Sequence, residues 1–432
     1  MKTIVKGLLG FFSRRILHKY RPEIVAVTGS VGKTLAREAI YAVLKDELSV
    51  RQSYKNMNTE IGVPLVIIGF PKFPGKSIAA WLAVFTQALA LLISRHNYPK
   101  VLILEMALDH PGDIEYLTRL APPKIGVVTA IGSKYPVHVE FFKNADELVD
   151  EKMLVMTRVP KNGFAIINRD DAFIWKRRAR VTAQTLSFGV SEKADLIARN
   201  IRIAQHLDPA NKKLGLYFKL EHQGANVPIF LPGILGEHQA NAALVAAAVG
   251  RAYDINLVTI AERLKNIRPI PGRMHLLKGI KDTLIIDDTY NASPAATQAA
   301  LRTLGAIDSQ GRKIAVLADM AELGPQTEAA HALIGKEVAA QGVDMLITVG
   351  EKAKMIADAA VRAGAAPENI FSFARAEEAG KFVQERMIPK DILLVKGSQS
   401  MRMERVVKEI MAEPLRAEEL LVRQSKEWLR TP

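Results

Sequence analysis

The 432-residue sequence contains no cysteine. Disulfides, thiolate metal sites and cysteine nucleophiles are therefore excluded, and a reducing compartment such as the cytoplasm is expected. Long apolar runs are also lacking. The strongest, Ile78 to Ile93, has 16 residues and carries Thr86 and Gln87, short of the ~20 that a spanning helix needs. The apolar part of the N-terminus is brief, and no small-residue cleavage site follows it, which argues against a signal peptide. Glycine and proline, at 28 and 21, are ordinary, and there is no repeat or low-complexity tract. With 49% hydrophobic and 24% charged residues the chain reads as globular, not disordered or collagenous. Acidic residues are the scarcer charge, 45 against 59 Lys and Arg, for a net +14. That balance favours an anionic partner: a nucleotide, an acidic metabolite or an anionic membrane surface. Nothing resembling an aromatic-rich basic platform is present, so no nucleic-acid partner is expected.

The first 22 residues read as a basic amphipathic helix. Ile4, Val5, Leu8, Leu9, Phe11, Phe12 and Ile16 fall on one arc, with Lys2, Lys6 and Arg14 opposite and Arg15 and Lys19 breaking the pattern. Two readings stand: peripheral membrane contact through residues 1–21, or a helix packed on the first domain. Ile78 to Ile93 reads as a buried or membrane-surface helix.

Beyond residue 22, strands alternate with helices. Short β-rich runs occur at Glu23–Thr28, Lys100–Glu105, Ile125–Thr129 and Phe164–Asn168. This spacing predicts a parallel α/β sheet. Residues 183–232 alternate apolar runs and turns, as a small antiparallel patch would, and Glu237 to Tyr253 is an alanine-rich helix. From RPIPGR onward the alternation resumes (TLIIDD, KIAVLAD, DMLITVG, DILLVKG). The expected fold is a P-loop parallel-sheet domain over 23–267 with an antiparallel patch, then a Rossmann-like domain over 268–432 with a charged helical tail.

Gly29-Ser30-Val31-Gly32-Lys33-Thr34 follows the first strand and opens a helix. It is one residue shorter than the usual G-x-x-x-x-G-K-[ST] phosphate loop. The physics survives the shortening: backbone N–H groups and a helix N-terminus face phosphate oxygens, Lys33 neutralises charge, and the Thr34 hydroxyl suits Mg²⁺.

This shortened loop resembles that of the Mur ligases and folylpolyglutamate synthetases, and further matches follow in order. They are Asn58-Thr59-Glu60-Ile61-Gly62; Glu105-Met106-Ala107 with His110-Pro111-Gly112-Asp113-Ile114; and His138-Val139-Glu140, fourteen residues before Lys152. Then come Gly236-Glu237-His238-Gln239, Gly272-Arg273, Asp287-Asp288-Thr289-Tyr290-Asn291-Ala292-Ser293-Pro294, Asp319-Met320-Ala321-Glu322-Leu323-Gly324 and Lys396-Gly397-Ser398. The last three resemble the branch that adds D-alanyl-D-alanine to UDP-N-acetylmuramoyl-tripeptide. Departures are Ala107 for glycine, three extra residues between Gly132 and His138, Gln239 for asparagine, and Ala242 where a second asparagine is expected. The family's UDP-binding N-terminal domain has no counterpart in the 22 residues before the first strand.

The resemblance implies ATP-dependent joining of a small-molecule acid to an amine through an acyl phosphate. It gives Gly29, Ser30, Val31, Gly32, Lys33 and Thr34 the ATP phosphates, Arg273 the same phosphates from the last domain, and Asp288 the ribose. Thr34 and Glu105 would hold one Mg²⁺, and His138 a second that is supported by a carbamylated Lys152. Lys33, Glu105, His138 and Lys152 are thus the catalytic set. Asn58, Thr59, Lys396 and Ser398 would contact substrate, with Glu322 on the amine side. Asn168 and Asp170 lie past a strand end, either near nucleotide or in an Asx turn. His110 and His331 are read as ordinary histidines. Two other functions remain open: a ligase of the same mechanism with a non-UDP acid, and a P-loop NTPase or regulatory module without ligase activity.

Overall fold

In the segment Glu23–Thr28, Val25 and Val27 face one side of a strand while Ile24 and Ala26 face the other, and all four are buried. A strand apolar on both faces must be covered on both, which is the condition for a parallel sheet between helical layers. The computed structural model describes residues 2–54, 57–131, 141–205 and 214–430 and has this architecture. The strands are β1 (Glu23–Thr28), β2 (Val50–Gln52), β3 (Val101–Glu105), β4 (Ile125–Val128), β5 (Phe164–Asn168), β6 (Gln184–Gly189), β7 (Leu196–Gln205), β8 (Leu214–His222) and β9 (Ala225–Pro232). They form one nine-stranded sheet in the order β2-β3-β1-β4-β5-β6-β7-β8-β9. Pairing is parallel from β2 to β7 and antiparallel from β7 to β9. The expected antiparallel patch is therefore an extension of the main sheet, and its first strand, β6, is parallel to β5.

The helices are α1 (Lys2–Tyr20), α2 (Lys33–Leu44), α3 (Gly62–Ile68), α4 (Ile78–Ile93), α5 (Asp113–Leu120), α6 (Ala145–Thr157), α7 (Ala172–Lys176), α8 (Ala240–Ala252) and α9 (Leu257–Leu264). One face of the sheet packs on α2, α8 and α9, where Ala246, Ala247 and Ala248 let α8 approach closely. The other face packs on α3, α4 and α5, and α1 joins this layer with Leu9 and Ile16 fully buried. The N-terminal helix is thus part of the domain core. Among the described residues no helix is long and apolar enough to cross a membrane.

The second sheet comprises β10 (His275–Gly279), β11 (Thr283–Asp288), β12 (Lys313–Ala318), β13 (Met345–Val349), β14 (Ile370–Phe373) and β15 (Ile392–Lys396). Its order is β10-β11-β15-β12-β13-β14, parallel except for the edge strand β10. The helices α10 (Pro294–Ala306), α11 (Thr327–Ala340), α12 (Lys354–Arg362), α13 (Ala376–Arg386) and α14 (Glu404–Ile410) flank it, and two short turns of helix, α15 (Ala417–Leu420) and α16 (Lys426–Leu429), end the chain. The expected helical tail is broken, and its last turn folds back toward the first sheet's loops.

Because Ile16 is fully buried, Ile16→Ala is expected to lower the unfolding free energy by about 2–5 kcal/mol, read as a shifted denaturant midpoint. An unchanged midpoint would mean that α1 contributes nothing to the core.

Candidate active site

The site begins where β1 stops. Gly29 has φ +147°, and a Cβ there would sit 2.2 Å from Thr129 Oγ1 and 3.0 Å from the Ala130 carbonyl oxygen, so only glycine fits. Ser30 N donates to Ala130 O at 2.6 Å, and Thr129 Oγ1 donates to Val31 O at 2.6 Å. The end of β4 thus props the loop from below. Gly32, with φ 84° and ψ −3°, turns the chain into α2. The first amides of α2 point into the cleft at a helix N-terminus, where anions are favoured. Lys33 Nζ donates to Gly29 O at 2.7 Å, folding over the loop that would cradle phosphate.

Glu105 ends β3 and is only 3% exposed. Burying a carboxylate needs partners, and three are present. Asn58 Nδ2 donates to Oε1 at 3.1 Å, Arg37 Nη1 pairs with Oε2 at 3.2 Å, and Thr34 Oγ1 lies 3.4 Å from Oε1. Thr34 and Glu105 present two hard oxygens beside the phosphate loop, a donor set that suits Mg²⁺ carrying several waters or phosphate oxygens. Lys152, on α6, is 2% exposed and donates to Ser30 Oγ at 2.8 Å. Burial, with Lys33 nearby, pulls its pKa down to about 7, against a smaller opposing pull from Asp171. Burial likewise lowers the pKa of Lys33, opposed by Glu105.

The second sheet supplies the opposite wall. Asp288 and Lys396 end the paired strands β11 and β15 in register. Lys396 Nζ donates to Asp288 Oδ2 at 2.6 Å and to Asn291 O at 2.9 Å. These two residues, expected on the ribose and amine sides respectively, form one buried ion pair. Arg273 stacks 3.9 Å from the Tyr290 ring centroid. Ser398 Oγ accepts from Ala321 N at 2.8 Å, which fixes the loop that carries Glu322. Together the two sheets enclose a cavity of about 880 Å³.

Of the residues singled out in the sequence, Gly29 through Thr34, Asn58, Glu105, Lys152, Arg273, Asp288, Glu322, Lys396 and Ser398 line this cavity. Thr59 does not: its hydroxyl accepts from Gly62 N at 3.3 Å and shapes the start of α3. Asn168 takes the structural reading, donating to Thr129 O at 2.7 Å and accepting from Asp170 N at 3.0 Å. His331 is buried, with Met320 N donating to its Nε2 at 3.1 Å. His138 lies outside the described residues. Among the described residues no group of three or more His, Asp and Glu is placed to hold a metal.

Sequence reasoning passed over several lining residues. His110 lines the cavity with its ring 5.1 Å from that of Phe141. Tyr290 and His238 sat inside recognised motifs but received no role. Trp428 carried no signal except that a tryptophan is unusual in a charged tail. The chain reaches back because Arg423 Nη1 pairs with Glu404 at 2.9 Å and donates to Thr289 O at 3.0 Å.

Comparison with known proteins agrees with this geometry. The family model for the Mur ligase middle domain matches residues 27–250, and that for the Mur ligase glutamate ligase domain matches 272–399. The chain is 26% identical over 403 residues to the UDP-N-acetylmuramoyl-tripeptide--D-alanyl-D-alanine ligase of Bacillus subtilis, covering 93% of this chain and 79% of that protein. For the Escherichia coli protein of the same name the identity is 28% over 388 residues, covering 89% and 76%. The crystal structure of MurF ligase from Thermotoga maritima in complex with ADP superposes with a TM-score of 0.75 at 27% identity, covering 94% of this chain and 83% of that one.

His238 offers a direct test of how dry the cavity wall is. Burial, opposed by the Asp288 carboxylate, lowers its pKa to about 4 from an ordinary 6.5, and Nδ1 is buried without a hydrogen-bond partner. Between those two pH values the unfolded chain binds a proton at this ring and the folded chain does not, so stability falls as pH falls through the window. Relative to His238→Asn, the wild type is expected to lose about 2–4 kcal/mol from pH 6.5 to 4 and to show no relative change above pH 7. Denaturant titrations at each pH read this out; a constant difference would place the ring in water.

Proposed function

This chain belongs to the Mur ligase family, and from that we infer an ATP-dependent ligase that joins a carboxylate to an amine, adding D-alanyl-D-alanine to a muramoyl tripeptide in peptidoglycan synthesis. The observation that carries this reading is the convergence of Lys33, Glu105 and Lys152 with Arg273, Asp288 and Lys396 around one cavity. A bare NTPase has no need of the second wall.

Bound ATP supplies the phosphoryl group that converts the acid to an acyl phosphate, and Mg²⁺ neutralises charge on the transferring phosphates. The loop amides, Lys33 and Arg273 would hold those phosphates, since phosphoryl transfer depends chiefly on positioning and charge. Thr34 and Glu105 would supply oxygens to the metal, and Arg37 and Asn58 hold the Glu105 carboxylate in place. An amine half-neutral near pH 7 can add CO₂, forming an N–C bond and releasing a proton; a carbamate on Lys152 would present an anion where an ammonium would repel metal. His138 completes the proposed metal set. On the far side, Lys396, Ser398 and Glu322 would receive the amine, which attacks the acyl carbon and displaces phosphate. In this reading residues 23–267 bind ATP and residues 268–432 bring the amine. In the same reading the enzyme works in the cytoplasm, in peripheral contact with the membrane through residues 1–21.

Phosphate release is expected to require both UDP-muramoyl tripeptide and D-alanyl-D-alanine, with the amide product seen by mass spectrometry. Lys33→Ala and Glu105→Ala should each cut the rate by at least about 100-fold, with the native fold retained by circular dichroism. Release that ignores the amine would instead mark an NTPase, and turnover with another acid would mark a ligase of different substrate.

Lys152→Ala is expected to be nearly inactive and partly restored by short carboxylic acids, which replace the carbamate anion. An active Lys152→Ala enzyme, or one that formate and acetate leave inactive, would remove the carbamate from the mechanism.

A further inference from the structure

Helix α4 buries Val84, Ala88 and Leu91 and leaves the opposite face in solvent: Ile78 is 78% exposed, Leu82 62%, Leu89 50% and Ile93 76%. At 3.6 residues per turn these four fall on one narrow stripe. Helix α1 adds Ile4, 68% exposed, with Leu8 and Phe11 at helical spacing. The two helices form one platform. Phe12 and Phe85 rings are 5.9 Å apart, Trp81 stacks on Phe85 at 6.1 Å, and Phe73 meets Trp81 edge-on at 6.4 Å. Lys19 Nζ, from α1, donates to the Leu91, Leu92 and Ser94 carbonyl oxygens and ties it to the end of α4.

The two segments that carry this surface bear charge of one sign. Residues 1–22 and 61–100 contain no aspartate or glutamate. Exposed basic residues stand at both ends of the stripes: Lys72 and Lys76 before α4, Arg95 after it, and Arg14 and Arg15 on α1. Protein–protein interfaces are depleted of lysine relative to the rest of the surface. An aliphatic stripe flanked by an amphipathic tryptophan and by lysine and arginine alone matches a helix lying in the headgroup region of an anionic bilayer. At 16 residues α4 is too short to cross.

We propose that the exposed faces of α4 and α1 together form a docking surface for anionic phospholipid, with α4 parallel to the membrane. This deepens the peripheral location proposed above, shifting the weight of the contact from residues 1–21 to α4, and is independent of the ligase chemistry. The platform is linked to the cleft through two helices: α1 packs on α3 and α5, which begin after the loops carrying Asn58 and His110, both cavity-lining residues. Substrate would thus be processed beside the bilayer.

The test is co-sedimentation of the full chain with vesicles of phosphatidylglycerol and phosphatidylcholine in equal parts, against phosphatidylcholine alone. Deletion of α1 is unsuitable, because it would remove Leu9 and Ile16 from the core. Leu82→Glu with Leu89→Glu, and separately Lys72→Glu with Lys76→Glu, alter only exposed side chains. The expected result is binding to the anionic vesicles only, weakened by added salt and by at least about tenfold in either double variant, with unfolding temperature and ATP turnover in solution unchanged. Equal binding of wild type and both variants, equal binding to neutral vesicles, or no vesicle binding with an α4-dependent dimer in solution would each overturn the proposal. Ligation measured without vesicles reports on the ligase reading separately.

Discussion

The parallel register of β1 with β3 and β4 is the constraint on which the site depends. Val27 lies opposite Glu105 on one side and Val127 on the other, so three strands end together. The phosphate loop, the carboxylate and Thr129 are thereby brought to one edge of the sheet, at the carboxyl ends of parallel strands where such sheets place ligands. Slipping β3 by one residue would turn Glu105 to the other face of the sheet. The apolar strands on both faces lock that register, and a polar site of this precision rests on it.

A second consequence is electrostatic. Two lysines, the half-buried Lys33 and the buried Lys152, lie near the same loop, and each has its ammonium form disfavoured by loss of water. Like charges at close range raise the free energy of the cleft in the absence of anions. Phosphate would relieve that strain at Lys33, and conversion of Lys152 to an anionic carbamate would relieve it at the other. Stability is here held below its optimum at the place where binding recovers it, as expected of a functional cluster. The opposite wall is already neutralised, because Asp288 and Lys396 satisfy each other. That pairing has to loosen if Asp288 is to meet a ribose hydroxyl or Lys396 an amine substrate.

Much of this was legible in the chain. β1, β3, β4 and β5 are continuous apolar runs closed by polar residues, and such strands announce themselves. The phosphate loop is local, so its residues and its geometry coincide. What was not legible depends on partners distant in sequence. β2 and β14 are short and partly exposed, and their apolar signal is too weak to separate from a loop. β6 reads like the hairpin strands after it, and only pairing with β5 makes it parallel. Thr59 sits in a motif beside Asn58, but the chain turns between them, so one side chain reaches Glu105 and the other shapes the start of α3.

The N-terminal third shows the same limit from the other direction. Amphipathic periodicity identified α1 correctly and could not say which side its apolar face meets. The structure divides that face: Leu9 and Ile16 go to the core, while Ile4, Leu8 and Phe11 stay outside. A helix apolar over more than half its circumference can serve both purposes, packing on the domain and presenting a second stripe. For α4 the division is sharper still, because its apolar residues run all the way round and only one side is covered. Apolar surface left open costs solubility, and residues 61–100, which carry α4, contain no aspartate or glutamate that an anionic bilayer would repel. Packing explains the inner stripe; only the outer stripe, carried by segments without acidic residues, calls for a partner.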